Sequence, residues 1–213
     1  MRCLKDKEAF WYTFNFDKTV LDENFNQNDE YIFDRLVNEI NDWSNCGDVK
    51  YYITADPLGD NLVSQIEKNL LAGNNACFSA VVYKNEILGV ILSSYRENQP
   101  LKNYQFKINL NNVYIDDIII NPKHHNKGFG TRILNYFINN LEPITGFKKI
   151  DGIDSLITTS NDRSKNIFTK NKFISLKKST NDPMQHFYFP MNKEIESLIL
   201  FGDKNIKLGD KGK

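Results

Sequence analysis

VYIDDIIINPKHHNKGFGTRIL, residues Val113–Leu134, is the stretch on which the reading of this chain turns. Its first part, Val113–Asn121, is dominated by β-branched residues with two carboxylates, Asp116 and Asp117, set among them, and such residues suit the pleated surface of a strand. Asn121-Pro122 stops that strand, because proline has no amide to give to a ladder and restricts the residue before it. From Thr131 onward Ile133, Leu134, Phe137, Ile138 and Leu141 recur at helical spacing, so a helix is predicted to begin near the glycines. Between strand and helix lies His125-Asn126-Lys127-Gly128-Phe129-Gly130-Thr131. Two glycines let the backbone turn tightly and bring N–H groups close to a ligand. A helix start presents unpaired N–H groups at the positive end of its dipole, so this loop suits a phosphate or pyrophosphate.

A strand, a Gly-x-Gly and a helix are not specific by themselves. The loop lacks the Gly-Lys-Ser/Thr ending of a P-loop and the third glycine of a dinucleotide fingerprint. The whole phrase Ile115–Thr131 resembles the acetyl-CoA-binding motif of the GNAT superfamily of N-acetyltransferases. That motif has an acidic strand, a hydrophobic-x-Pro stop, then Gln/Arg-x-x-Gly-x-Gly/Ala opening a helix. His125 stands where Gln or Arg is usual. A second stretch, Thr159–Phe168, resembles the family's Asn-x-x-Ala/Ser-x-x-x-Tyr helix through Asn161, Ser164 and Phe168. That helix normally runs on to Gly-Phe, and here the pair is Lys172-Phe173.

Composition narrows the setting. Lys+Arg and Asp+Glu each total 27, so the formal charge is zero and nothing selects nucleic acid or an anionic membrane as the main partner. Cys3, Cys46 and Cys77 are odd in number and without metal spacing, which favours a reduced, cytoplasmic compartment. No apolar run approaches the roughly 20 residues that span a bilayer. Met1–Ala9 is charged with no apolar core after it, so no secretory signal is expected. A soluble intracellular protein is the expectation, with residues 1–191 as one domain and 192–213 as a partly flexible C-terminal extension.

Along the chain, aromatic-rich Glu8–Phe16 reads as a first strand and Asp17–Asp29 as a polar loop. Glu30–Trp43 carries Ile32, Phe33, Leu36, Val37, Ile40 and Trp43 on one helical face, with Asp29 as cap. Val49–Thr54 reads as a short extended piece and Asn61–Ala72 as a second helix, ended at Gly73. Cys77–Tyr83 and Ile87–Tyr95 form a hairpin around Lys84-Asn85-Glu86. Arg96–Asn112 is a polar connection containing a weak strand, Tyr104–Leu110. The central helix runs to about Asn140, stopped by Pro143 and Gly146. Strand Lys149–Thr159, helix Asn161–Asn171 and strands Phe173–Lys177 and His186–Pro190 follow, then an apolar patch at Ile195–Phe201 and a flexible Lys204–Lys213. Periodicity gives a mixed α/β chain. The resemblance implies more: a GNAT-like fold, α/β (α+β), with a mixed, mostly antiparallel central sheet flanked by helices.

The resemblance also implies a chemistry, in which an amine attacks the thioester of acetyl-CoA directly. Such a reaction needs a deprotonated amine, a stabilised oxyanion and a proton for the leaving thiolate. Asp116 and Asp117 are the candidate bases. Strand alternation would send them to opposite faces, with Asp116 the better candidate and a bulge able to exchange them. Ile118, Ile119 and Ile120 would act through the main chain, pairing with the pantetheine arm, while their side chains fill the core. His125, Asn126, Lys127, Gly128, Phe129, Gly130 and Thr131 would hold the pyrophosphate, and Asn161 the pantetheine amide while also capping its helix. Lys127 reads equally as a phosphate contact or a solvated lysine. Phe168 stands where the family often has a proton-donating tyrosine, so the thiolate leaves unaided or another donor, Tyr188 or His186, reaches it. His124-His125 has no third Cys or His at ligand spacing, so no metal is expected.

The implied function is an N-acetyltransferase using acetyl-CoA as co-substrate and a primary amine of a small molecule or protein as acceptor. Tyr104, Asp116, Asp117 and Glu97 favour a cationic acceptor. The chain is expected as a monomer or homodimer, with no membrane and no nucleic-acid partner. The rival reading, motivated by His125, Phe168 and Lys172, is a non-catalytic acyl-CoA-binding sensor or interaction domain. A transferase acting on aminoacyl-tRNA is disfavoured by the neutral charge.

Overall fold

A computed structural model of the chain describes residues 1–6, 9–16, 27–43, 46, 58–100, 109–176 and 183–201. The extended piece expected at Val49–Thr54, the tail Lys204–Lys213 and most of the weak strand at Tyr104–Leu110 lie outside the described residues. The elements are β1 (Arg2–Asp6), β2 (Ala9–Phe16), α1 (Gln27–Trp43), α2 (Leu58–Leu71), β3 (Asn75–Tyr83), β4 (Glu86–Pro100) and β5 (Asn109–Ile120). A 3-10 turn (Pro122–His124), α3 (Phe129–Asn139), α4 (Leu141–Thr145), β6 (Gly152–Thr158), α5 (Asp162–Lys170), β7 (Ile174–Leu176), β8 (Met184–Pro190) and α6 (Lys193–Phe201) complete the order.

The strands form one eight-stranded sheet in the order β1-β2-β3-β4-β5-β6-β8-β7. Every neighbouring pair is antiparallel except β5 and β6. The mixed, mainly antiparallel sheet flanked by helices is the architecture that the family resemblance implied.

Alternation along the strands separates two faces. On the first, Trp11, Ile91, Ile115, Ile153 and Phe187 pack with Ile133, Leu134 and Phe137 of α3, Leu141 and Ile144 of α4, and Phe168 of α5. On the second, Phe14, Phe78, Val90 and Leu92 pack with Leu36 and Ile40 of α1 and Leu62, Ile66 and Leu70 of α2. Each such side chain, fully buried, contributes about 1.5–3 kcal/mol. Ile195 and Ile199 of α6 cover the same second face farther along, over Leu110, Leu176 and Tyr188. The apolar patch in the tail is thus a helix closing a third small core.

α1 and α2 begin earlier than expected, at Gln27 and Leu58, which puts Asp29 inside the first turn of α1. Three further differences have local physical reasons. The polar connection is shorter, because β4 continues to Pro100 and β5 begins at Asn109, so Arg96 is a strand residue. Pro143 does not end helical structure. It sits in the first turns of α4, where its missing N–H is of little consequence, and Gly146 at φ 76° ends that helix. A first strand, β1, pairs with β2 despite its charged composition, since an edge strand tolerates lysine and aspartate.

Candidate functional site

β5 and β6 are held in register at only three pairs, Asn112 with Gly152, Val113 with Ile153 and Tyr114 with Asp154. Beyond them the strands part into a fork. A cavity of about 660 Å³ occupies it, lined by β5 from Ile115 to Ile120, β6 from Ser155 to Thr158, the loop through Thr131 and one side of α5. Ser155 Oγ donates to the Ile115 carbonyl across 2.9 Å at the closed end of the fork. His125 Nε2 lies 2.9 Å from the Ile120 carbonyl at the open end. With both carbonyls on the fork side, alternation puts the N–H and C=O of Ile118 there too, without a strand partner among the described residues.

The two aspartates sit at an irregularity in β5. Leu92 is opposite Asp117 and Ser93 is opposite Ile115, so Asp116 has no partner in β4 and forms a bulge. The consequence is visible on either side of it. Val113 and Ile115 pack in the first core, as do Ile118 and Ile120, whereas Ile119 packs in the second. The parity of the strand changes between Ile115 and Ile118, and Asp116 and Asp117 both belong to the second face. The alternation expected from the sequence does not hold at this point.

Their surroundings differ. The Asp116 side chain is only 3% exposed and receives Nδ2 of Asn69 at 3.1 Å, Nε2 of Gln65 at 3.4 Å and the Arg96 guanidinium at 3.3 Å. The guanidinium also lies 3.6 Å over the Tyr114 ring. Burial pushes the Asp116 carboxyl up to about 6, against the lowering effect of Arg96 and its hydrogen bonds. Asp117 is open to solvent, yet it stands among the walls of the cleft. That crowding, with the charge of Asp116 second, pushes it up to about 7. Asp116 is thus engaged in tying α2 and β4 to the bulge, and Asp117 is the accessible carboxylate. Gln65, Asn69 and Arg96 carry no motif, and no sequence signal marks them for this site.

The loop is built by its own side chains. Asn121 is 3% exposed; its Nδ2 donates to the Ile87 carbonyl at 2.8 Å and its Oδ1 accepts from Lys123 N. Gly128 caps α3 at φ 75° with no side-chain cap, and a methyl group there would meet nothing within 4 Å. Its glycine answers to backbone conformation, and the first-turn N–H groups after it have no acceptor within the helix. Gly130 has another reason: a Cβ there would stand 2.7 Å from Ile167 Cδ1, so it lets α5 approach α3. Lys127 is turned away from the cavity, with Nζ donating to the Lys123 carbonyl at 2.8 Å. His124 and His125 diverge, His124 lying 3.2 Å from Glu86. Among the described residues no group of three His, Cys, Asp or Glu could hold a metal ion.

Asn161 caps α5 by accepting from Ser164 N at 3.0 Å and also lines the cavity. Phe168 lines the cavity from the first face, 3% exposed, packed edge-on to Phe173 and against Phe187. Tyr188 and His186 belong to the opposite face: Tyr188 donates to Asn112 Oδ1 at 3.2 Å, and His186 lies 3.2 Å from Asp154. The structure therefore does not bring either of them to Phe168.

A model of the acetyltransferase (GNAT) family matches residues 38–173. Among solved structures, an acetyltransferase (GNAT family) from Bacillus anthracis has a TM-score of 0.51 at 14% identity, over 91% of this chain and 99% of that one. A mutant spermidine N-acetyltransferase from Vibrio cholerae has a TM-score of 0.49 at 12% identity, over 89% and 96%. The N-acetyltransferase PseH of Campylobacter jejuni, in complex with acetyl coenzyme A, has a TM-score of 0.47 at 13% identity, over 85% and 99%. No curated protein sequence matches the chain at a significant level. No described helix is long and apolar enough to cross a membrane.

Proposed function

The chain belongs to the acetyltransferase (GNAT) family, and from that premise we propose that it transfers an acetyl group from acetyl-CoA to a primary amine by direct attack on the thioester. The observation that carries this reading is the fork itself. From Ile115 to Ile120 the strand runs five residues, roughly 17 Å at about 3.3 Å each. The pantetheine arm has about 13 bonds between phosphorus and sulfur, and at the pitch of an extended chain it reaches roughly 15 Å. An arm whose pyrophosphate met the first turn of α3 would thus deliver its sulfur near the closed end. The unpaired edge of Ile118 would bond the arm on the way, and the cleft of about 660 Å³ suits a ligand of that size.

In this reading Asp117 is the base. The attacking amine gives up its proton to Asp117, directly or through water, as the C–N bond forms. A main-chain N–H of β5 stabilises the oxyanion, and the C–S bond then breaks with its electron pair on sulfur. Asp116 is held in place by Arg96, Asn69 and Gln65, and its charge makes its neighbour the stronger base. Asp117, and Asp154 beside the end of the β5–β6 pairing, support a cationic acceptor approaching over the second face, between α2 and α6.

The test is acetyl-CoA-dependent thiol release with spermidine, benzylamine, glucosamine and a lysine peptide, for wild type, Asp116→Asn and Asp117→Asn. Amine-dependent release, reduced about a hundredfold or more in Asp117→Asn with CoA binding kept, is the expected result. Undiminished release in that variant would remove the base assignment. CoA binding without release for any amine would favour the sensor reading, to which the absence of a hydroxyl at Phe168 already lends support.

A further inference from the structure

We propose that Ser155 is a catalytic residue whose hydroxyl stabilises the departing sulfur, in the role that Phe168 has no group to fill. The proposal rests on the acyl-transfer reading above. Ser155 is the first residue of β6 past the last paired register, so it marks the closed end of the fork. It lines the cavity, is only 4% exposed and spans the fork to the Ile115 carbonyl.

It also lies on the correct face. Ser155 is directly opposite Phe187 in the β6–β8 register, and the Phe187 and Phe168 rings are 5.8 Å apart. Ser155 and Phe168 therefore approach the cavity from the same side. The other described hydroxyls of the lining stand elsewhere. Thr158 is three residues toward the open end of β6 and on the other face. Thr131 and Ser164 belong to the first turns of α3 and α5, at the end where the loop lies.

The chemistry balances without another reactant. Before reaction the hydroxyl donates to the Ile115 carbonyl. As the C–S bond breaks and its electron pair moves to sulfur, the O–H turns from that carbonyl to the sulfur and donates there. The proton stays on the serine oxygen, because a thiol of pKa about 8.5 is much the stronger acid. CoA leaves as a thiolate and is protonated by water, while the proton of the attacking amine has gone to Asp117.

Ser155→Ala, Ser155→Thr and the double variant Ser155→Ala with Phe168→Tyr are compared with wild type, using acetyl-CoA and whichever amine of the panel is turned over fastest. For Ser155→Ala, kcat is expected to fall about ten- to a hundredfold, the loss of one hydrogen bond to a charged group. The Kd for CoA, from titration calorimetry, is expected to stay within about twofold of wild type on the same argument, since the bond forms only as charge develops. Ser155→Thr keeps the hydroxyl and should keep most of kcat. In the double variant the phenolic hydroxyl brought in by Phe168→Tyr should restore part of the loss. Wild-type kcat in Ser155→Ala overturns the proposal. So does a threonine variant as slow as the alanine one while both are folded, since that outcome assigns Ser155 to strand packing. Absence of turnover in the wild type itself instead overturns the transfer reading, and this proposal with it.

Discussion

The Arg96 guanidinium lies 3.3 Å from the carboxylate of Asp116, a side chain only 3% exposed. The contact joins β4 to the bulge of β5, and Asn69 and Gln65 of α2 reach the same carboxylate. One buried acid therefore ties strand, strand and helix together beside the fork.

Removing the cation should be costly. Arg96→Met leaves Asp116 buried with no positive partner and should destabilise the fold by about 3 kcal/mol, the low end for a broken buried pair because Arg96 is itself partly exposed. Adding Asp116→Asn should recover much of that loss. Urea unfolding at pH 7.5 measures both.

The raised Asp116 carboxyl gives stability a definite pH slope. Between the unfolded value near 4 and about 6 the folded state holds more protons than the unfolded one, so this contribution is full below about 4 and declines as pH rises through 6. Its size is on the order of 3 kcal/mol for a shift of about two units. Asp117 acts in the same direction. The difference in unfolding free energy between wild type and Asp116→Asn, followed from pH 4 to 7.5, should carry that slope; a flat difference would contradict it.

Activity should follow Asp117. The rate is expected to rise through a limb centred near 7, the value to which crowding and Asp116 push that carboxyl. Asp117→Asn should abolish the limb. Asp116→Asn removes one of the two causes that raise it, so its limb should move to lower pH. A pH–kcat/KM profile of the three proteins distinguishes these outcomes.

The loop makes two opposite predictions about CoA affinity. Lys127→Ala should change it by less than about twofold, since that ammonium is bound to the Lys123 carbonyl and a solvated lysine contributes little. Gly128→Ala meets no atom, yet it places a side chain at φ 75° and should cost about 1 kcal/mol of stability while displacing the first-turn amides. Titration calorimetry and thermal unfolding test the pair.

Much of the site could be read from the chain because its signals are local. Pro122 stops a strand, Gly128 turns a backbone, Asn161 caps a helix and Ile133, Leu134 and Phe137 mark a helical face, each by the chemistry of residues within a few positions. Those signals determined the strand–loop–helix unit, the order of elements and the family likeness. What they could not carry was set by pairing at a distance. The bulge at Asp116 exists because Leu92 and Ser93 of β4 face Asp117 and Ile115, and one extra residue there moves every later side chain of β5 to the other face. Arg96, twenty residues away, decides which aspartate is engaged. Ser155 becomes interesting only where β6 leaves β5, and Tyr188 is removed from the question because alternation turns it from Phe168. Local chemistry shapes an element, but only the register between elements decides which face each side chain occupies.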